Sequence, residues 1–191
     1  MPEKDILQRL TETEAMLEGH FLLSSGLHSN KYIQCAKLLQ YPDNATWVGE
    51  KLAEKVSVDG IELVVSPAIG GIVIGQEVAK ALGVPHIFVE KVNGTPTLRR
   101  GFSVKPGAKI LVVEDVITTG KSTKEVIDVI DGTGGKVVAF SAMVDRGGSA
   151  NIKLPFAALL KLDIEVFQPN DCPLCKSGIP VVKPGSRIQK K

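Results

Sequence analysis

The stretch ILVVEDVITTGKST, residues 110–123, runs four apolar residues into two adjacent carboxylates, Glu114 and Asp115, and then into hydroxyls, a glycine and a lysine. A short, nearly continuous Val/Ile/Leu run reads as a strand covered on both faces, the mark of a parallel sheet. The helical pattern STKEVIDVID follows it at residues 122–131. The same texture recurs from residue 61 as IELVVS, GIVIGQEVAKAL, HIFVEKV, KVVAFSAMV and FAALLKL. Strands alternating with helices give the fold class: α/β, a parallel β-sheet flanked by helices.

Such sheets bind ligands at the carboxyl ends of their strands, where the strand order reverses. The polar segments at those ends are SPAIGG (66–71), KVNGTPTLRRG (91–101), EDVITTGKS (114–122) and DRGGS (145–149). Ahead of the sheet, Ile6, Leu7, Leu10, Met16 and Leu17 predict an amphipathic helix over residues 3–18, and Val48, Leu52 and Val56 a second from about Asn44. HFLLSSGLHSNKYIQ (20–34), between them, reads as a loop or hairpin with an apolar frame.

The chain has 191 residues, 43% hydrophobic and 23% charged, which suits a single core. A formal net charge of +2 argues against the broad basic face of a nucleic-acid binder and is compatible with a small anionic ligand. No apolar run approaches the ~20 residues of a membrane span, and the charged MPEKDILQRL is unlike a signal segment, so the expected location is the cytoplasm. Three cysteines, Cys35, Cys172 and Cys175, are too few for a disulfide framework and agree with a reducing compartment. Cys172 and Cys175 form a CxxC for which a zinc site would need further ligands from among Cys35, His20, His28 and His86. A redox pair would be expected to open a helix, whereas this motif follows a Pro-rich turn. The reading adopted is a reduced pair in a basic tail, QPNDCPLCKSGIPVVKPGSRIQKK (168–191), that wraps the surface or frays.

TGKST resembles the end of a nucleotide P-loop, GxxxxGK[ST], but counting back five residues from Gly120 reaches Asp115 where the first glycine belongs. The Walker-type triphosphatase is therefore set aside. The backbone amides of Thr118 to Ser122 still lie between a strand end and a helix N-terminus, where unpaired amides and the helix dipole favour one phosphate. Two carboxylates just ahead would repel a polyphosphate, yet they accept hydrogen bonds from vicinal hydroxyls and can hold a divalent cation through water. A sugar phosphate satisfies both halves.

On these residues VVEDVITTGKS resembles the ribose-phosphate signature of the type I phosphoribosyltransferases. GHFLLSSGLHSNKYIQ, TLRRGF and MVDRGGS are similar to segments of the orotate phosphoribosyltransferase family, and the resemblance spans most of the chain. It implies one phosphoribosyltransferase domain, 1–191, with residues 1–42 and 165–191 as a small hood over a core at 43–164. It implies transfer of ribose 5-phosphate from phosphoribosyl pyrophosphate (PRPP) to orotate, with Mg²⁺ carried on PRPP and reaching Asp115 through water, not by direct ligation. Partners are then PRPP and orotate, without nucleic acid or membrane, in a homodimer that shares loop residues between subunits.

By the same resemblance Glu114 and Asp115 take the ribose hydroxyls, and Val116, Ile117, Thr118, Thr119, Gly120, Lys121 and Ser122 hold the 5-phosphate. Ala68, Gly70 and Gly71 of SPAIGG form the pyrophosphate loop. Lys91, Arg99 and Arg100 are the loop cations for PRPP, and Asp115 and Lys91 are the implied catalytic residues. Arg146, an arginine fork matched to a planar carboxylate, binds orotate together with Thr118 and the backbone at Ser25 and Gly26. The chain departs from the family pattern twice. The 91–101 loop is short and lacks histidine, and Ser24 stands where a lysine is common. A phosphoribosyltransferase for a purine or uracil, and a PRPP-sensing regulator with little catalysis, are the rival readings.

Overall fold

In the computed structural model, which describes residues 2–23 and 25–184, the opening stretch is a strand, a tight turn and a helix. The chain begins with α1 (Pro2–Glu12), a hairpin of β1 (Met16–Leu22) and β2 (His28–Ile33), then α2 (Cys35–Leu39) and α3 (Pro42–Lys55). There follow β3 (Leu63–Pro67), α4 (Gly71–Leu82), β4 (His86–Val92), β5 (Thr95–Leu98), β6 (Lys109–Ile117), α5 (Lys121–Asp131) and β7 (Lys136–Asp145). The chain closes with β8 (Phe156–Lys161), β9 (Val166–Phe167) and the one-turn α6 (Pro173–Lys176).

The main sheet has the order β5-β4-β3-β6-β7-β8. Its inner pairings, β4 on β3, β3 on β6, β6 on β7 and β7 on β8, are parallel as the apolar runs predict. The edge strand β5 is the exception, antiparallel to β4. Asn93 (φ 51°) and Gly94 (φ 85°) supply the two left-handed residues of a tight hairpin turn, so KVNGTPTLRRG is two strands and a turn where the sequence suggested a polar loop. The chain steps from β3 outward to β4, then returns to the other side of β3 as β6. The strand order therefore reverses between β3 and β6.

One core lies under α3 and α4, with Val48, Leu52, Ile74 and Val78 packed on Leu111, Val113 and Met143. A second lies under α5, with Val126 and Ile130 packed on Ile110, Val112 and Phe140. The alternation of β6 is thus exact over Ile110–Val113, odd residues toward α4 and even ones toward α5.

β1, β2 and β9 make a separate three-stranded sheet. Of the residues grouped with the hood by sequence, however, Ile6 and Leu10 of α1 and Leu38 and Leu39 of α2 are buried in the main core. The expected helix over 3–18 is also shorter. Ala15 N–H closes on Leu10 C=O at 2.8 Å and Glu14 turns left-handed (φ 51°), which stops α1, and Met16 then pairs with Ile33 as the first residue of β1.

Gly49 of α3 sits against the backbone of α4, where a Cβ would lie 2.6 Å from Glu77 Cβ and 2.7 Å from Glu77 C. Gly→Ala inside a helix ordinarily stabilises by up to ~1 kcal/mol. Here overpacking reverses the sign, and Gly49→Ala is expected to destabilise the fold by about 1–3 kcal/mol in urea unfolding. A stabilised variant would show that α3 and α4 do not meet this closely.

Candidate active site

Glu114 and Asp115 are neighbours in sequence and point to opposite faces of β6. Glu114, on the α5 side, is 8% exposed and accepts a hydrogen bond from Thr123 Oγ1 in the first turn of α5. Asp115, on the α4 side, accepts the Val116 N–H at 2.9 Å and lies against the turn that leads into α4. A Cβ on Gly70 would fall 2.8 Å from Asp115 Oδ2, so the missing side chain lets that turn lie directly against the carboxylate. Glu114 is thus held by the start of α5 and Asp115 lies beside the start of α4, and both line one cleft.

That cleft, about 190 Å³, is lined by Pro67, Ala68, Gly70, Gly71, Val89, Lys91, Pro96, Glu114, Asp115, Ser122, Glu125 and Val126. It sits where β3 and β6 diverge, as a doubly wound sheet requires. Burial pushes the Glu114 carboxyl up to about 7, with the Asp115 charge adding to the rise and the Thr123 and Ser122 hydrogen bonds opposing it. Burial also raises Asp115.

Gly120 (φ 76°) opens α5 and, as its N-cap, brings no side chain of its own to the first amides. This leaves the N–H groups and dipole of an 11-residue helix facing the cleft side of the sheet, as an anion site needs. Thr118 and Thr119 are exposed beside it, and Thr119 Oγ1 accepts the Lys121 N–H at 3.4 Å. The turn is pressed on its neighbour: a Cβ on Gly120 would lie 2.9 Å from Gly148 O, and one on Gly148 would lie 2.8 Å from Gly120 N. Asn151 Nδ2 donates to Thr119 O at 3.1 Å across the same seam.

Arg146 follows β7, its N–H donating to Ile117 O at 2.8 Å. The buried Asp145 builds the turn around it, Oδ1 accepting the Gly147 N–H at 3.0 Å and Oδ2 the Ser149 hydroxyl at 2.6 Å. Burial lowers the Arg146 guanidinium, and its buried Nε has no hydrogen-bond partner among the described residues. An unpaired guanidinium in a half-buried position is held ready for an acidic ligand.

The structure therefore brings Ala68, Gly70, Gly71, Lys91, Glu114, Asp115 and Ser122 into one cleft lining. Val116, Ile117, Thr118, Thr119, Gly120 and Lys121 form the strand end and turn next to it, outside the lining itself. Arg99 and Arg100 go elsewhere: Arg100 Nε pairs with Glu90 at 3.1 Å, Arg99 reaches the same carboxylate at 4.0 Å, and neither lines the cleft. The hairpin carries them along β5 and past it, so they follow its edge. Ser25 and Gly26 form the exposed tip between β1 and β2 and do not line the cleft either, and Ser24 lies outside the described residues.

Two participants escaped the sequence reading. Thr123 looked like one more hydroxyl of the turn and instead grips Glu114. Glu125, one helical turn in, reaches Lys91 across the cleft at 2.7 Å.

The chain as a whole is similar to known proteins. A profile of the phosphoribosyl transferase domain matches residues 43–154. An orotate phosphoribosyltransferase of Carboxydothermus hydrogenoformans is 53% identical over 186 residues, covering 96% of this chain and 97% of the relative. One from Thermotoga maritima is 50% identical over 185 residues, with coverage of 96% and 97%. Among solved structures, the Aeropyrum pernix orotate phosphoribosyltransferase superposes with a TM-score of 0.67 at 26% identity, covering 82% of this chain and 93% of that one.

The raised Glu114 pKa carries a pH signature. A carboxyl whose pKa rises from 4.5 to about 7 on folding contributes stability that is full below 4.5 and lost as pH climbs through 7. Glu114→Gln, which cannot ionise, should thus gain stability over the wild type from pH 5 to pH 8, by on the order of 3 kcal/mol at ~1.4 kcal/mol per pKa unit. Thermal unfolding of both proteins across that range checks it, and a pH-independent difference would place the carboxyl in a more ordinary environment.

Proposed function

The chain belongs to the orotate phosphoribosyltransferases, and on that premise we propose which of its groups run the reaction. The enzyme transfers the ribose 5-phosphate of PRPP to N1 of orotate, giving orotidine 5′-phosphate and pyrophosphate in pyrimidine biosynthesis. The observation that carries the assignment of groups is the meeting of two acids, a glycine turn and one cation in a single cleft at the reversal of strand order.

Asp115 and Glu114 accept the ribose hydroxyls, and the free amides opening α5 take the 5-phosphate. This sets the anomeric carbon toward the β3 side, where the Ala68–Gly71 turn brings backbone close to the diphosphate. As the C1–O bond to pyrophosphate breaks, positive charge develops on the ribose ring and negative charge on the departing oxygen. Fixed carboxylates beside the ring and a cation beside the leaving group are both better matched to that state than to bound PRPP.

Lys91 is that cation. In the absence of substrate it is tied to Glu125, a half-exposed pair worth about 0–1 kcal/mol, so exchange of Glu125 for a diphosphate oxygen is easy. Hard carboxylate oxygens of Asp115 at the cleft wall suit Mg²⁺ held through water, and Mg²⁺ bound with PRPP supplies charge neutralisation of the diphosphate. Arg146 receives the orotate carboxylate in two parallel hydrogen bonds. Its unpaired Nε favours orotate over a purine or uracil, neutral bases that offer a guanidinium no charge.

A cytoplasmic homodimer belongs to the same proposal. Among the described residues no helix is long and apolar enough to cross a membrane. Ile69 and Val73, 85% and 45% exposed and four residues apart beside the cleft, provide apolar surface for a second copy. Sedimentation of the purified protein tests the assembly.

The substrate reading is checked by pyrophosphate release with PRPP, Mg²⁺ and, in turn, orotate, uracil, adenine, hypoxanthine and xanthine, with turnover expected on orotate alone. Asp115→Asn should lower kcat about a hundredfold, the scale of losing one transition-state electrostatic contact. Arg146→Ala should raise the orotate KM roughly ten- to a hundredfold, the worth of a charged hydrogen-bond pair, and leave the PRPP KM nearly unchanged. Equal weakening of both substrates would remove Arg146 from the acceptor site.

A further inference from the structure

The CxxC does not lie in a loose tail. Cys172 caps α6 and is 1% exposed, and Cys175 lies one turn along the same short helix. Both face the turn end of the β1–β2 hairpin, where His28 pairs with Leu22 next to the connecting loop and His20 and His28 are 3% and 7% exposed. One ligand atom from each of the four residues falls within 4.8 Å of all the others. Cys172 Sγ is 3.6 Å and Cys175 Sγ 3.7 Å from His20 Nε2, and Cys175 Sγ is 3.3 Å from His28 Nδ1. With metal–sulfur bonds of ~2.3 Å and metal–nitrogen bonds of ~2.0–2.1 Å, the edges of a tetrahedron are roughly 3.3–3.8 Å. The sulfur–nitrogen distances already have that length. The two imidazole nitrogens, 2.8 Å apart, need to open by only about half an ångström.

We propose that His20, His28, Cys172 and Cys175 form a tetrahedral structural zinc site that fastens the C-terminal segment to the N-terminal hairpin. Hydrogen bonding alone accounts poorly for this cluster, because one ring proton shared between His20 and His28 leaves two thiols with only weak donors to offer. His20 is oriented from outside the cluster: its Nδ1–H donates to Ile179 O at 2.7 Å, which leaves the lone pair on Nε2, the atom that faces the sulfurs. His28 then ligates through Nδ1 with its proton on Nε2, and the two thiols each lose a proton on binding. Two thiolates with two imidazoles select zinc over magnesium or calcium, and four protein ligands close the sphere, the pattern of a structural centre.

The segment that carries the cysteines shows why a fastening is needed. Among the described residues from 165 to 184, Cys172 alone is buried. The backbone ties of this segment to the hairpin are two residues of β9 on β2 and a bridge from Phe21 to Val182. Val166, Ile179, Val181 and Val182 are all more than 40% exposed, so apolar packing contributes little. Cys172 belongs to neither core cluster of the described residues, and its buried sulfur faces the His20 imidazole. The sequence had held His20 and His28 as two of several possible ligands. What it could not show is that His20 and Cys172, 152 positions apart, close into contact.

Elemental analysis of the full-length protein, purified under reducing conditions from zinc-supplemented cells, is expected to give about one zinc per chain. Cys172→Ser/Cys175→Ser should carry none, and Cys35→Ser, outside the cluster, should keep it. Because the double variant could lose the hood for other reasons, the wild type is also stripped with a chelator and titrated with Co²⁺. The expected result is the intense visible spectrum of tetrahedral thiolate-ligated cobalt, saturating at one equivalent. Metal-free protein that develops no such spectrum would overturn the proposal. So would a Cys172–Cys175 disulfide found by mass spectrometry in freshly isolated, metal-free protein, which would make the pair a redox couple.

Discussion

The pairing of β3 with β6 is the constraint on which the molecule rests. These adjacent parallel strands are the point at which the chain turns from building outward on one side to building outward on the other, and their connections leave in opposite directions. The start of α4 and the start of α5 flank the carboxyl ends of the two strands on opposite faces of the sheet, so two sets of helix-start amides and two acids of one strand meet there without any loop being long.

Strand geometry then explains a local conflict. Two carboxylates side by side in sequence would repel each other strongly if they shared a face. The pleat instead separates them, and each has its own donor, the Thr123 hydroxyl for Glu114 and the Val116 N–H for Asp115. The cost remains visible in Glu114, whose pKa is lifted mainly by burial. A group destabilised when alone has most to gain from a ligand that supplies hydrogen-bond donors, which is the usual relation between a strained site and its substrate.

Much of this was legible in ILVVEDVITTGKST and its relatives along the chain. A buried strand, a helix behind it and a carboxylate pair at the join are local properties, set by side-chain type and period, and they fix the class of fold and the edge of the sheet to inspect. What could not be read was whatever depends on two distant segments meeting. The pairing of Lys91 with Glu125 requires knowing that β4 and α5 flank one cleft, and the drift of Arg99 and Arg100 toward Glu90 follows from a hairpin whose Asn-Gly turn was in plain view but was taken for a loop. Met16 and Leu17 fell in step with a helical stripe that had already ended, because one left-handed residue outweighs a periodicity that cannot register it. The four-residue cluster at the turn end of the hairpin is the extreme case, since its halves stand toward the two ends of the chain.

The seam between Gly120 and Gly148 has a consequence for how such a protein can change over time. The turn proposed to receive phosphate and the turn beside Arg146 touch backbone to backbone, and any side chain added to either collides with main-chain atoms of the other. A substitution on one side has no compensating substitution available on the other, because the obstacle is not a side chain. The sugar-phosphate half and the acceptor half of the site are therefore inherited together. On the proposed roles, divergence toward a new acceptor base has to proceed through Arg146, while the two glycines stay fixed.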